Sequence, residues 1–168
     1  MKKIESLSVD ISKYGERVID NLIKAQRSTA RDLLKDVKLG APVNTGAYRD
    51  SIQMTDTVYD GKEIRTSVYT DATVMDSLGR EYNLGELIEY GTRPHLIEPA
   101  TKQVLKFTID GHTIFASHVF HPGTVANPHF QLALQKNIPL YQYNIRRALK
   151  EAELWEKLSK RSLRKYKI

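Results

Sequence analysis

The chain has no cysteine among its 168 residues. That absence excludes a disulfide framework, a thiolate nucleophile and any cysteine-ligated zinc site, and it fits assembly in a reducing cytosol. Long apolar runs are missing too. No stretch approaches a membrane span, and the opening MKKIESLSVDISKYGERVID is charged every few residues, without the apolar centre of a signal peptide. The expectation is a soluble intracellular product with no membrane contact. No Gly-x-Ser-x-Gly elbow, phosphate loop, dinucleotide fingerprint or His-Glu-x-x-His helix occurs. An enzyme is therefore not expected, nor a cofactor. The length suits one domain, residues 1–168, around a single core.

What is present is a divided charge. Residues 1–40 hold nine Lys/Arg and six Asp/Glu, residues 41–130 seven and eleven, and residues 131–168 ten and three, for a net +6 over the whole chain. Basic ends thus flank an acidic middle, unlike a nucleic-acid module with one continuous basic footprint. Opposite patches on one chain can instead meet between copies of it.

Periodicity predicts an α+β fold: a long N-terminal helix and a C-terminal helix packed on an antiparallel sheet of about four strands. Ile4, Leu7, Ile11, Tyr14, Val18, Leu22, Ala25, Thr29, Leu33 and Val37 recur every three or four positions, which reads as one helix over residues 1–40. Gly40, free to turn left-handed, and Pro42, unable to continue, would end it. APVNTGAYRDSI follows as a turn through Gly46 and a short helical piece capped by Asn44 or Thr45.

Residues 41–126 read as the sheet region. IQMTDTVY and KEIRTSVYT form a first hairpin, with a three-residue loop from Tyr59 to a left-handed Gly61 keeping the even positions on one face. DATVMDSLGREYN, residues 71–83, shows no periodicity and reads as an exposed excursion, and LGELIEYGT as a helical turn or two closed by Gly91. VLKFTID and HTIFASHVF flank Asp110-Gly111, where a two-residue type I′ turn sets Ile109, Phe107 and Leu105 across from His112, Ile114 and Ala116.

VFHPGTVANPHF packs two histidines, two prolines and a glycine into twelve residues. It reads as a strand end, a turn through His121, Pro122 and Gly123, and a helix start with Asn127 as cap and Pro128 at the first helical position. The C-terminal region, residues 127–168, is then helical, with Pro139 expected to kink or break it. His118 and His121 have a spacing that suits zinc, but a third ligand and a positioned base are not evident. Glu86, Glu89 and Glu98 around the Gly91 turn read as a solvated acidic face. At the end, Trp155 and Leu158 continue an apolar stripe, while Lys157, Lys160, Arg161, Arg164, Lys165 and Lys167 form a cationic tail for interaction with an acidic surface or with phosphate.

APVNTGAYRDSI, IEYGTRPHLIEP, LKF and HPGTVANPHF, in this order after a long N-terminal helix, resemble the gene-product-ten-like head-tail joining and tail-completion proteins of long-tailed bacteriophages. The resemblance covers roughly residues 10–150, and the segments Tyr90-Gly91-Thr92 and His121-Pro122-Gly123-Thr124 are fairly specific to it together. Asn44 stands where such proteins more often have Asp, and His129 separates Pro128 from Phe130, which usually adjoin. The resemblance implies a non-catalytic virion protein of the neck or tail terminus, made in the host cytoplasm. It implies a homo-oligomeric ring, commonly sixfold, around the DNA channel, with neighbouring neck, connector and tail proteins as partners. Two alternatives follow from the residues: a minor head or neck DNA-binding protein using the basic C-terminal helix, and a metal-dependent hydrolase using His118, His121 and a glutamate.

Overall fold

The computed structural model describes residues 5–10, 15–76, 78–100 and 103–165, with side chains for all of these except 5–10 and 154–165. It contains helices and antiparallel strands, an α+β fold with a long helix towards each end of the chain. The contacts group into two compact units: residues 1–41, 52–69 and 129–168 in the first, and residues 42–51 and 70–128 in the second.

The first unit opens with strand β1 (Glu5–Asp10) and helix α1 (Glu16–Gly40), which corrects the single helix expected over residues 1–40. The segment ESLSVD carries two periods at once: Leu7 fits the helical series, and Leu7 with Val9 also alternates with serines. Pairing decides in favour of the strand, because β1 runs antiparallel to β4 (Glu63–Tyr69) with Leu7 opposite Thr66 and Val9 opposite Ile64. Extended Gly15 then starts α1, its carbonyl accepting from the Val18 and Ile19 amides. The buried positions of α1 are Leu22, Gln26, Thr29, Ala30, Leu33 and Val37, spaced three and four apart along a helix of about 37 Å.

Gly40 is the last residue of α1 and is not left-handed; Ala41 is extended before Pro42. The reason for a glycine there is contact. A Cβ on Gly40 would lie 3.1 Å from the Cβ of His129, so its absence lets the two helices approach.

β4 is the centre of a four-stranded sheet, bordered by β1 on one side and by β2 (Gln53–Met54) and β3 (Val58–Tyr59) on the other. Met54 lies opposite Val68 and Tyr59 opposite Ile64, so residues 55–57 contain one more residue than the β4 segment they face. This bulge returns the apolar pairs to register. The loop from Tyr59 to Gly61 expected from the sequence is therefore corrected: Tyr59 belongs to the strand. Asp60 instead accepts from the Lys62 and Glu63 amides, each at 2.9 Å, and Gly61 has φ 91°.

Helix α4 (His129–Lys165) runs antiparallel to α1 and closes the core. Leu22, Leu33, Val37, Ile52, Ile64, Val68 and Phe130 are almost fully buried between the helices and the sheet. Pro139 neither breaks nor ends α4. It lies on the exposed side one turn beyond exposed Gln135, so the hydrogen bond it cannot make is lost on the solvent face, while Ala133, Asn137 and Ala148 hold the helix on both sides of it. α4 begins at His129, one residue later than expected, so Pro128 precedes the helix.

A polar seam sets the register of the two helices. Tyr141 donates to Gln26 Oε1 at 3.0 Å, Asn144 to Thr29 Oγ1 at 3.0 Å, and Asn137 to Asp36 Oδ2 at 2.7 Å. Lys136 pairs with the other Asp36 oxygen at 2.8 Å. The Lys136 and Asn137 hydrogen bonds hold the Asp36 carboxyl below its usual range against a smaller opposing effect of burial. A one-turn slip would leave these partly buried groups unpaired, which apolar side chains alone would not penalise.

The second unit contains α2 (Ala47–Ser51), β5 (Thr73–Met75), β6 (Glu81–Asn83), α3 (Leu84–Tyr90), β7 (His95–Ile97), β8 (Leu105–Ile109), β9 (His112–Ala116) and β10 (Val119–His121). Its strands form three separate two-stranded ladders, β5–β6, β7–β10 and β8–β9. The β8–β9 hairpin has the expected register, with Asp110 at φ 50° and Gly111 at φ 79°. β5–β6 corrects the structureless excursion expected over 71–83. Among the described residues of this unit no apolar side chain larger than glycine is buried; those that are buried are Gly46, Thr70, Gly85 and Glu89.

Candidate functional site

The centre of the second unit is a clasp made by two Gly-Thr pairs. Thr92 and Thr124 exchange backbone hydrogen bonds at 3.0 and 3.2 Å, and Thr92 Oγ1 also accepts from the Thr124 amide at 2.9 Å. β7 and β10 continue in the same register, with His95 opposite His121 and Leu96 opposite Phe120. Between the two paired stretches stand Pro94 and Pro122, which have no amide to donate.

Each glycine of the clasp packs on the opposite strand. Gly91, with φ 69°, closes α3, and a Cβ there would collide with the Thr124 carbonyl and lie 2.8 Å from the Ala126 nitrogen. Gly123, with φ 88°, would meet the Thr92 carbonyl and lie 3.0 Å from the Arg93 carbonyl carbon. Both the backbone angle and the space thus require glycine. The Asn127 amide donates to the Ile88 carbonyl at 2.8 Å, tying the clasp to α3, and Asn83 caps that helix by accepting from the Glu86 amide at 3.1 Å.

The histidines serve this geometry. His121 Nδ1 accepts from the Gly123 amide at 3.1 Å, and His95 Nδ1 donates to the Arg93 carbonyl at 2.9 Å, with the two rings 5.0 Å apart. His118 contacts Ser117 Oγ at 3.1 Å. Among the described residues no three His, Asp or Glu side chains converge on a position that could hold a metal ion. His129 is in the first unit, where it is buried against Gly40 and Phe130.

Glu89 is not on a solvated face, as its spacing from Glu86 suggested; it is 3 % exposed. Tyr48 of α2 lies near enough to feel it. Burial first, and then the Glu89 charge, push the Tyr48 phenol well above its ordinary value. Gly46, at φ 88°, starts α2 by accepting the Asp50 amide at 2.9 Å, beside Thr45 Oγ1, which accepts from the Ala47 amide at 3.3 Å.

Beside the clasp is an open groove of about 820 Å³, walled by Val74, Met75, Leu78 and Tyr82 from the β5–β6 side and by Leu96 and Ile97 from β7. Asp76 holds its lip. Its carboxylate accepts from the Leu78 and Arg80 amides at 2.9 Å and from the Arg80 guanidinium at 2.6 Å. Desolvation opposes its charge, but these donors outweigh it and bring its pKa down to about 2. The groove was not legible in the sequence; the signal was the Asp76 to Gly79 turn between two short strands, β5 and β6.

The two units carry opposite charge. The first holds twenty-one Lys/Arg against twelve Asp/Glu, the second five against eight. α4 has no carboxylate from His129 to Lys150, and its outward face exposes Leu132, Leu140 and Tyr143 among Lys136, Arg146, Arg147 and Lys150. Farther along, Trp155, Lys157, Lys160, Arg161, Arg164 and Lys165 lie where the α4 backbone is helical, with their side chains outside the described residues.

A family model described as "Bacteriophage HK97-gp10, putative tail-component" matches residues 5–91, just over half of the chain, from β1 to the first glycine of the clasp. No curated protein and no solved structure matches the chain.

Proposed function

The chain belongs to the HK97-gp10-like family of bacteriophage tail components, and from that premise we propose that it forms a ring at the neck or tail terminus that joins the tail to the DNA-filled head. The observation that carries this reading is the second unit, which exposes Met75, Leu78, Leu96, Phe115 and Phe120 and, among the described residues, fully buries no large apolar side chain. Two-stranded ladders are marginal alone, and apolar surface on this scale marks a face that other proteins cover.

A ring of identical chains needs two different patches, each complementary to the other, on every copy. The basic first unit and the acidic second unit supply opposite signs. In this reading the protein acts by assembly rather than by chemistry, in the virion and, before that, in the host cytoplasm. A sixfold ring would place the other exposed loops against neighbouring neck, connector and tail proteins. Contact with DNA in the channel is the second reading, favoured by the carboxylate-free stretch of α4; it predicts DNA binding that falls steeply with salt.

A nonsense codon in the gene, within the phage that encodes it, tests the proposal. Electron microscopy of the lysate should show DNA-filled heads and separate tails, with joined particles restored by a plasmid copy. Joined, infectious particles without the chain would overturn it.

A further inference from the structure

Among the described residues, two surfaces remain unpartnered within one copy. One is the outward stripe of α4, where Leu132, Leu140 and Tyr143 are 58 %, 39 % and 60 % exposed. These residues share one helix face over about 16 Å. The other is the groove of the second unit, where Met75 and Leu78 are 70 % and 65 % exposed.

We propose that the α4 stripe of one copy seats in this groove on a second copy, so that every copy gives a helix to one neighbour and takes a helix from the other. The inference rests on the ring reading and names the contact that would build it. The mode is an amphipathic helix laid into an apolar groove, with anchors repeating at helical spacing. Charge selects the occupant. Along the stripe, Lys136 is already paired with Asp36 and Arg147 with Glu151, which leaves Arg146 and Lys150 as cations beside the apolar anchors. At the groove, Asp76 and Arg80 satisfy each other. Exposed Glu98 lines the groove and exposed Glu81 stands opposite Met75 in the β5–β6 ladder, while Arg93 is the one cation that lines the groove without an ion pair among the described residues. A helix with cations and no carboxylate over twenty-two residues suits that surface, and the same chain provides it. The contact is heterologous, so it repeats from copy to copy rather than stopping at a pair, and forms a ring where the rotation between copies closes.

Charge exchange on the full-length protein tests the contact by sedimentation velocity in low and high salt. Arg146→Glu with Lys150→Glu should weaken self-association about tenfold or more at low salt, and so should Glu81→Lys with Glu98→Lys. All four together should return it to within about threefold of the parent. Met75→Glu in the groove should also weaken it, at any salt. Circular dichroism melting must show each variant folded, which exposed positions permit.

Self-association unchanged by either double variant, or no recovery in the fourfold variant, would overturn the proposal, as would a parent that does not self-associate. Loss of DNA binding by Arg146→Glu with Lys150→Glu, with self-association intact, would assign the stripe to DNA. Exclusion of that variant from virions with self-association intact would assign it to a different tail protein. The ring reading is judged separately, by whether the parent chain enters virions and joins heads to tails.

Discussion

The two units of this protein are stabilised in different ways. The first takes its buried side chains from three separated stretches and excludes water from Phe130, Leu22, Leu33, Ile52 and Ile64. The second holds its shape with backbone geometry: the Thr92–Thr124 clasp, the Asn83 cap, the Asp76 loop and the Asp110-Gly111 turn. Burial supplies free energy in proportion to apolar area, whereas hydrogen bonds exchanged with water contribute about 1 kcal/mol each. The first unit thus rests on apolar burial, and the second on local hydrogen bonds and turns.

The largest test of this contrast sets Phe130 against Phe115. Phe130→Ala should lower unfolding free energy by about 3–5 kcal/mol, as truncation of a fully buried aromatic does. Phe115, 63 % exposed, should change it by less than about 0.5 kcal/mol when replaced by Ala. Urea titrations of the dissociated protein would measure both, and equal losses would erase the distinction.

Gly123→Ala sharpens it from the other side. Positive φ and the contact with Arg93 should cost more than about 1 kcal/mol, but locally. Hydrogen exchange should show the Thr92 and Thr124 amides losing protection while amides around Leu33 keep theirs. Loss of protection throughout would mean that the two units unfold as one.

Asp36 should give the smallest effect. Asp36→Asn removes the ion pair with Lys136 but keeps an acceptor for Asn137, at an expected loss of about 1 kcal/mol near neutral pH. Because the folded carboxyl titrates below its ordinary value, its contribution is complete above that value and fades as pH falls through the lower folded one. The difference in melting temperature between parent and variant should therefore shrink on acidification below about pH 4. A difference that grows instead would show that the cause lies elsewhere.

The sequence was most legible where one local signal acted alone. The spacing of Leu22, Leu33 and Val37 predicts the buried face of α1, and Asp110-Gly111 predicts both turn and register in β8–β9. It was least legible where distant partners decided. Leu7 and Val9 become a strand because β4 offers an edge, and Tyr59 joins its strand because a bulge and the Asp60 carboxylate shift the turn. Pro139 stays helical because α4 is anchored on both sides of it. Of the candidate site, the motif containing Gly91 and Gly123 could be read from the sequence; that the two glycines press on each other's strands could not. Glu89 and His129 were hidden for the same reason, since polar residues at a surface spacing carry no mark of what later covers them.

The order of segments in the first unit has a consequence for synthesis on the ribosome. β1, α1 and the central sheet are translated early, but Phe130, Ala133 and Ala148 come from the last helix, after all of the second unit has emerged. Non-local closure of this kind is slow and leaves apolar surface open while translation continues. A chain interrupted before α4 would lack one wall of its core and also the helix that carries the basic stripe. Products that end before α4 would then lack a closed core and be open to proteolysis, so the late position of α4 makes folding of the first unit itself a check that translation has passed through that helix.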